Sequence, residues 1–141
     1  VRGSDQSIKS AMMFGEYFPN PSFEKFMVVS AALACFMEGL GTFLLVLVIL
    51  RVTEIPEQIN NITPLVIGLT VTIIICIVAP FTQAGLNPAR DFGPRMVACL
   101  AGWGNAAFPK IDYSFFTVYI LSPLMAGILA AFSHKWIGGK N

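Results

Sequence analysis

The 141-residue chain is 55% hydrophobic, only 12% charged and close to neutral, with a formal net charge of +1. An ordinary soluble domain carries about a quarter charged residues, so this composition favours lipid as the surroundings. The lysines and arginines are scattered along the chain and form no basic run, which argues against nucleic acid as a partner because phosphate contacts need clustered positive charge.

The first part of the chain is polar and is followed by a long apolar segment. Residues 1–25 contain the turn-forming cluster Phe-Pro-Asn-Pro at 18–21, which predicts a loop outside the membrane, on its outer side. Residues 27–50 carry a single charge, Glu38. At about 1.5 Å per residue this segment can cross about 30 Å of hydrocarbon, so we predict a first transmembrane helix at 27–50.

Two further uncharged segments, 64–80 and 115–132, predict a second and a third transmembrane helix, the third with a kink at Pro123. The β-branched residues of the second segment do not indicate a strand, because lipid does not tolerate an unpaired strand edge. Tyr119 is expected near a helix end, as an aromatic anchor at the membrane surface. The cations that follow the third helix, Lys135 among them, predict a cytoplasmic C-terminus.

Between the second and third predicted helices, residues 87–100 are too short to cross a membrane and too apolar for an ordinary loop. They begin with Asn87 and Pro88. Asparagine is a favoured N-cap, and proline suits the first helical position because its missing N–H would have no partner there. We predict a re-entrant half-helix that starts near the membrane midplane, where the positive end of its dipole disfavours cations and protons.

The start of this half-helix carries groups that suit a neutral molecule rich in hydroxyls. The Asn87 amide can donate to a passing oxygen, and Arg90 offers several donors in a fixed fork. Gly85 and the small Ala84 predict an extended stretch whose carbonyl groups accept from the same molecule. An isolated Asn-Pro pair is usually a simple turn, but the position between two uncharged segments favours a pore.

Glu38 lies inside the first predicted helix, where a charge that faces lipid costs roughly 2.5–3.5 kcal/mol or more. We predict that its carboxylate accepts N–H groups from residues 83–86 and supports that loop. A role in proton transfer is disfavoured because the predicted spans contain no second acid or histidine as a relay. Asp91 and Arg95, four residues apart, are expected to pair on the surface of the half-helix.

The run Gly-Leu-Asn-Pro-Ala-Arg-Asp-Phe-Gly-Pro-Arg at 85–95, followed by Ala-Gly-Trp-Gly at 101–104, resembles the second signature of the glycerol facilitators in the major intrinsic protein family. The cluster at 18–21 resembles the outer loop before their fourth helix. The resemblance implies an all-α membrane protein with three transmembrane helices and one re-entrant half-helix. This arrangement is one half of an aquaporin-like inverted-repeat bundle.

By the same resemblance, Asn87 is the second pore asparagine, Arg90 is the constriction arginine, and Asp91 separates glycerol channels from most water channels. Ala84 stands where glycerol facilitators often carry an aromatic residue, and Ile75 stands where they often carry a glycine and strict water channels a histidine. These departures predict a wide, less apolar constriction. The predicted pore and selectivity residues are Ile75, Ala84, Gly85, Leu86, Asn87, Pro88, Ala89, Arg90 and Asp91, with Glu38 as loop support.

The resemblance implies a channel in the cell or plasma membrane for passive diffusion of glycerol, similar small neutral solutes and water, with protons and ions excluded. It also implies two protein partners, a complementary N-terminal half and the other copies of a homotetramer. The sequence has no P-loop, no paired metal ligands and one histidine, so we predict no catalytic residues, no cofactor and no metal. Two alternatives stay open: a non-conducting assembly half-channel and a water-selective aquaporin.

Overall fold

The structure is a computed structural model that describes residues 5–56, 61–108 and 113–138. Within those ranges every regular element is helical, which confirms the predicted all-α class. The helices are α1 (Asp5–Ala11), α2 (Ala31–Thr53), α3 (Thr63–Thr82), α4 (Pro88–Ala98), α5 (Tyr113–Phe116) and α6 (Ser122–Trp136).

Three helical stretches in the described residues are long and apolar enough to cross a membrane: α2, α3 and Ser114–Trp136. The last of these joins α5 to α6 through one wide π-helical turn, Thr117–Leu121. This turn ends two residues before Pro123, which cannot donate a backbone hydrogen bond to it. The irregularity expected at Pro123 therefore takes the form of a π turn inside a continuous helix.

The ends of the elements differ by a few residues from the predicted ranges 27–50, 64–80, 115–132 and 87–100. The first helix begins later because Ser30 is its N-cap, accepting a hydrogen bond from the backbone N–H of Leu33. The half-helix stays α-helical as far as Ala98, and a π turn, Cys99–Trp103, follows it. The polar region 1–25 is not all loop, since it contains α1.

Helix α2 is central and packs against both α3 and α6. Each of two buried apolar clusters includes a residue of α2. The first contains Val29, Ala34, Phe115, Val118 and Tyr119, and the second contains Met37, Ile74, Val78, Ala84 and Leu86.

One face of α3 remains uncovered by the described chain. Its residues follow a four-residue repeat, and each is more than half exposed: Leu65, Leu69, Ile73 and Ile77. A contiguous apolar stripe of this kind is unfavourable in water but suits contact with lipid or with another membrane helix.

Candidate functional site

Helix α4 begins at a capped and exposed end. The side-chain oxygen of Asn87 accepts hydrogen bonds from the backbone N–H groups of Ala89 (3.0 Å) and Arg90 (3.3 Å), and Pro88 occupies the first helical position. Because the oxygen of the amide faces the helix, its Nδ2 group is directed away from the helix and can donate to another molecule. Asn87, Ala89 and Arg90 are all exposed at this end.

The stretch between α3 and α4 is not extended, so that prediction was wrong. Gln83, Ala84 and Leu86 have φ values of 64°, 66° and 56°, in the left-handed region. Left-handed backbone costs a non-glycine residue roughly 1–2 kcal/mol, so three such residues within four positions need support from elsewhere in the fold.

Glu38 of α2 supplies much of that support. Its carboxylate is fully buried and accepts hydrogen bonds from the hydroxyl of Thr82 (2.6 Å) and from the backbone N–H groups of Gly85 (2.9 Å) and Leu86 (2.6 Å). One turn further along α2, the Thr42 hydroxyl lies 3.0 Å from the carbonyl oxygen of Leu86 and 2.8 Å from that of Glu38, and it can donate its single proton to either. Side chains of α2 therefore bind the N–H of Leu86 and lie within hydrogen-bond reach of its carbonyl.

A second anchor comes from the third membrane helix. The hydroxyl of Tyr119 donates to the carbonyl of Thr82 over 2.9 Å, and the side chain is 1% exposed. Tyr119 is therefore not an anchor at the membrane surface, and that prediction was wrong. A buried tyrosine needs a partner for its hydroxyl, and it finds one where α3 ends.

Arg90 is paired with an acid that the sequence did not identify. Its Nη1 group donates to Oε1 of Glu16, which lies in the loop after α1, and the two side chains are 56% and 9% exposed. Burial raises the pKa of the Glu16 carboxyl, and the hydrogen bond and charge of Arg90 oppose that rise. No spacing pattern indicates a contact between residues 74 positions apart in the chain.

Asp91 and Arg95 form a buried pair, so the expectation of a surface pair was wrong. Their side chains are 1% and 0% exposed, and the Arg95 Nε group donates to Asp91 Oδ2 over 2.8 Å. The loop after α1 covers this side of α4, because the N–H of Glu16 donates to Asp91 Oδ1 (2.6 Å) and the Glu16 carbonyl accepts from Arg95 Nη2. Arg95 Nη1 donates to the carbonyl of Ala107 (2.8 Å).

Aromatic rings complete the surroundings of this pair. The guanidinium carbon of Arg95 lies 5.0 Å from the ring centroid of Tyr17, 5.1 Å from that of Phe115 and 5.6 Å from that of Tyr119. Cation–π contacts of this length favour a desolvated guanidinium. Burial also raises the pKa of the Tyr17 hydroxyl above its ordinary value.

The structure thus divides the predicted pore residues other than Ile75 into two groups. The first group forms the start of α4 and contains Asn87, Pro88, Ala89 and Arg90. The second group is buried and contains Ala84, Gly85, Leu86 and Asp91. Ala84 packs in the second apolar cluster and is 5% exposed, so it contributes little surface to a passage. Ile75 lies in α3, is 42% exposed and takes no part in the contacts described above.

Three membrane-length helices, together with a half-helix that begins at an Asn-Pro pair beside a buried glutamate, are the architecture of half of an aquaporin-like bundle in an integral membrane protein. Residues 11–134 match the family described as Major intrinsic protein. The chain belongs to that family, which confirms the resemblance found in the sequence.

Individual relatives agree with this assignment. The chain is 36% identical to the glycerol uptake facilitator protein of Shigella flexneri and 35% identical to that of Escherichia coli K12, over 100% of this chain and 49% of each relative. It is 33% identical to the propanediol uptake facilitator PduF of Citrobacter freundii, over 100% of this chain and 51% of that relative. The chain spans about half the length of the curated relatives it matches, and it corresponds to the carboxy-terminal half of the glycerol facilitators.

Proposed function

We propose that this chain is the second half of a membrane channel for passive diffusion of glycerol, similar small neutral solutes and water, with protons and ions excluded. The observation that carries the proposal is the exposed start of α4, where the Asn87 amide and the Arg90 guanidinium both offer hydrogen-bond donors. The names of the relatives, which are facilitators of glycerol or propanediol uptake, support this class of solute.

The chemistry of these donors favours a neutral polyol. Each hydroxyl of a polyol can accept a hydrogen bond from Asn87 or Arg90, so a solute exchanges part of its hydration shell for these protein donors. The positive end of the α4 dipole and the guanidinium charge both disfavour a cation or a proton at the same place. Neutral solutes have no such barrier.

A complete passage requires a second wall, which a complementary N-terminal half would supply. The exposed leucine and isoleucine side chains of the apolar stripe along α3 are consistent with contact between that face and either a partner helix or lipid. We further propose a homotetramer as the assembled form, with the C-terminus in the cytoplasm and the loop before α2 on the outer side.

The test is the permeability of proteoliposomes that hold this chain together with a complementary N-terminal half. Stopped-flow light scattering gives water permeability from shrinkage and glycerol permeability from re-swelling. We expect glycerol flux in the paired sample and an altered flux for Arg90→Val. Lys25→Val, which changes an exposed cation of the loop before α2, is the matched control and should behave as wild type.

Two outcomes favour the alternatives. Water flux without glycerol flux in the paired sample would favour a water-selective aquaporin. A paired complex that assembles and passes neither solute would favour a non-conducting assembly half-channel.

A further inference from the structure

The pair formed by Glu16 and Arg90 is asymmetric in its exposure. The guanidinium belongs to a side chain that is 56% exposed at the start of α4, whereas the carboxylate belongs to one that is 9% exposed. A solute that approaches the exposed start of α4 therefore contacts the guanidinium of Arg90, and the Glu16 carboxylate is largely shielded from it. No motif in the sequence indicates a role for Glu16.

Glu16 is held in place by its own backbone. Its N–H donates to Asp91 and its carbonyl accepts from Arg95, and both of these side chains are buried within the described chain. The preceding residue is glycine because a Cβ at Gly15 would overlap the side chain of Arg95. The buried Asp91–Arg95 pair therefore determines where the Glu16 carboxylate lies.

This arrangement restricts Arg90 in two ways. A free arginine side chain samples many rotamers, and a hydrogen bond from Nη1 to a fixed carboxylate removes most of that freedom. The carboxylate also offsets part of the guanidinium charge and occupies one of its donors. The remaining donors then face a passing solute in a fixed orientation.

We propose that Glu16 is a positioning residue that sets the specificity of the passage, because its carboxylate orients the Arg90 guanidinium and offsets part of its positive charge. This inference rests on the proposed function. When Glu16 is lost, the Arg90 side chain becomes mobile and its positive charge is no longer offset by a neighbouring carboxylate. The mobile side chain then obstructs glycerol more than it obstructs water. A three-carbon polyol needs several ordered contacts to pass, whereas a water molecule needs few. Selectivity between glycerol and water is therefore the property that Glu16 controls.

The test compares glycerol-to-water permeability ratios in proteoliposomes that hold the chain with a complementary N-terminal half. The variants are Glu16→Ala and the nearly isosteric Glu16→Gln, with Glu24→Gln as the matched control, since Glu24 is an exposed acid of the same loop region. We expect the ratio to fall at least about threefold in Glu16→Ala, as the loss of a charged hydrogen bond predicts. A smaller fall is expected in Glu16→Gln, because glutamine keeps an acceptor oxygen, and none in Glu24→Gln.

A pH series adds a measurement that a purely structural role would not affect. The charged groups that face the Glu16 carboxyl are Arg90, Asp91 and Arg95, all on α4. Because burial raises the pKa of Glu16, acidification neutralises its carboxylate and leaves the Arg90 guanidinium without an anionic partner. The wild-type ratio should fall toward that of Glu16→Gln as the pH decreases, and the ratio of Glu16→Gln should stay constant.

After the permeabilities of protein-free liposomes are subtracted, the ratio does not depend on how much folded protein is present, so a variant that folds poorly still gives a usable result. Equal ratios in wild type and both Glu16 variants, with Arg90→Val altered, would overturn the inference and leave the proposed function intact. Parallel loss of both permeabilities at an unchanged ratio would likewise reduce Glu16 to a structural residue. Absence of flux in the wild-type pair would overturn both proposals.

Discussion

The carboxylate of Glu38 accepts a 2.6 Å hydrogen bond from the backbone N–H of Leu86, a residue 48 positions later in the chain. Leu86 has a φ of 56° and immediately precedes the cap of α4. The bond therefore ties the middle of a transmembrane helix to the point where the half-helix starts. The bond also gives a partner to the Leu86 N–H and to the Glu38 carboxylate, and burying either group unpaired in an apolar interior would cost free energy.

Removal of this acceptor should destabilise the protein. We expect Glu38→Gln to lower the free energy of unfolding by about 1–3 kcal/mol, because the amide NH₂ cannot accept from the N–H groups of Gly85 and Leu86, and one of them loses its partner. Denaturant titration in detergent micelles, followed by circular dichroism, measures the change. The exposed Glu24→Gln should stay within about 0.5 kcal/mol of wild type, and equal effects of the two variants would contradict the assigned role of Glu38.

Two arginine–acid pairs between residues close in sequence should differ in how much they stabilise the fold: Asp91–Arg95 within α4, and Arg51–Glu54 at the end of α2. Arg95→Met leaves the buried carboxylate of Asp91 without its cation, and we expect a loss of about 3–5 kcal/mol. Arg51→Met removes a partly exposed pair with Glu54 at 3.7 Å, which should cost less than about 1 kcal/mol. Thermal unfolding of both variants in micelles gives the comparison, and a similar loss in both would argue against a buried Asp91–Arg95 network.

Two glycines within transmembrane helices should respond oppositely to alanine. A Cβ at Gly41 would lie 2.6 Å from Cδ2 of Leu86 and 3.0 Å from Cγ2 of Ile74, so we expect Gly41→Ala to cost about 1–3 kcal/mol. A Cβ at Gly68 would meet no described atom within 4 Å, and Gly68→Ala should stabilise its helix by about 0.5–1 kcal/mol. Unfolding of each variant of this chain alone in micelles measures the difference, and a tolerated Gly41→Ala would contradict the close approach of α2 to Leu86.

The raised pKa of Glu16 predicts a specific pH dependence of stability. Burial is the main cause of the rise, and the folded protein therefore holds this proton at pH values where the unfolded chain, with an ordinary pKa of 4.5, has released it. The contribution is fully present below pH 4.5 and is lost as the pH rises through the folded-state pKa. Unfolding free energies measured across that window should decline with pH in wild type and decline less in Glu16→Gln. Identical slopes would show that Glu16 titrates normally.

Much of the architecture follows from composition and segment length. Uncharged runs of membrane length must be helical because lipid offers no other partner for the backbone, so the spans can be placed to within a few residues. The start of the half-helix is equally local, since asparagine caps and proline tolerates the first turn. Even the need of Glu38 for a partner could be anticipated, because an unpaired charge inside a span is too costly.

The errors share one physical origin. Asp91 and Arg95 looked like a surface pair because helical spacing gives the distance between two side chains but not what covers them. Tyr119 looked like an interfacial anchor because its position near a segment end does not reveal that its hydroxyl bonds to Thr82. The left-handed backbone at 83–86 was missed because only the surrounding hydrogen bonds make such strain tolerable.

The sequence by itself determined that the chain is helical, that it belongs in a membrane and that a half-helix begins at Asn87, because these properties depend on residues close together in the chain. Only the tertiary structure decided that Glu16 lies behind Arg90 and that Asp91 and Arg95 hold it there. The contacts that hold the site together join residues dozens of positions apart. They exist only because packing brings separate segments together, and no local pattern of residue types encodes that packing.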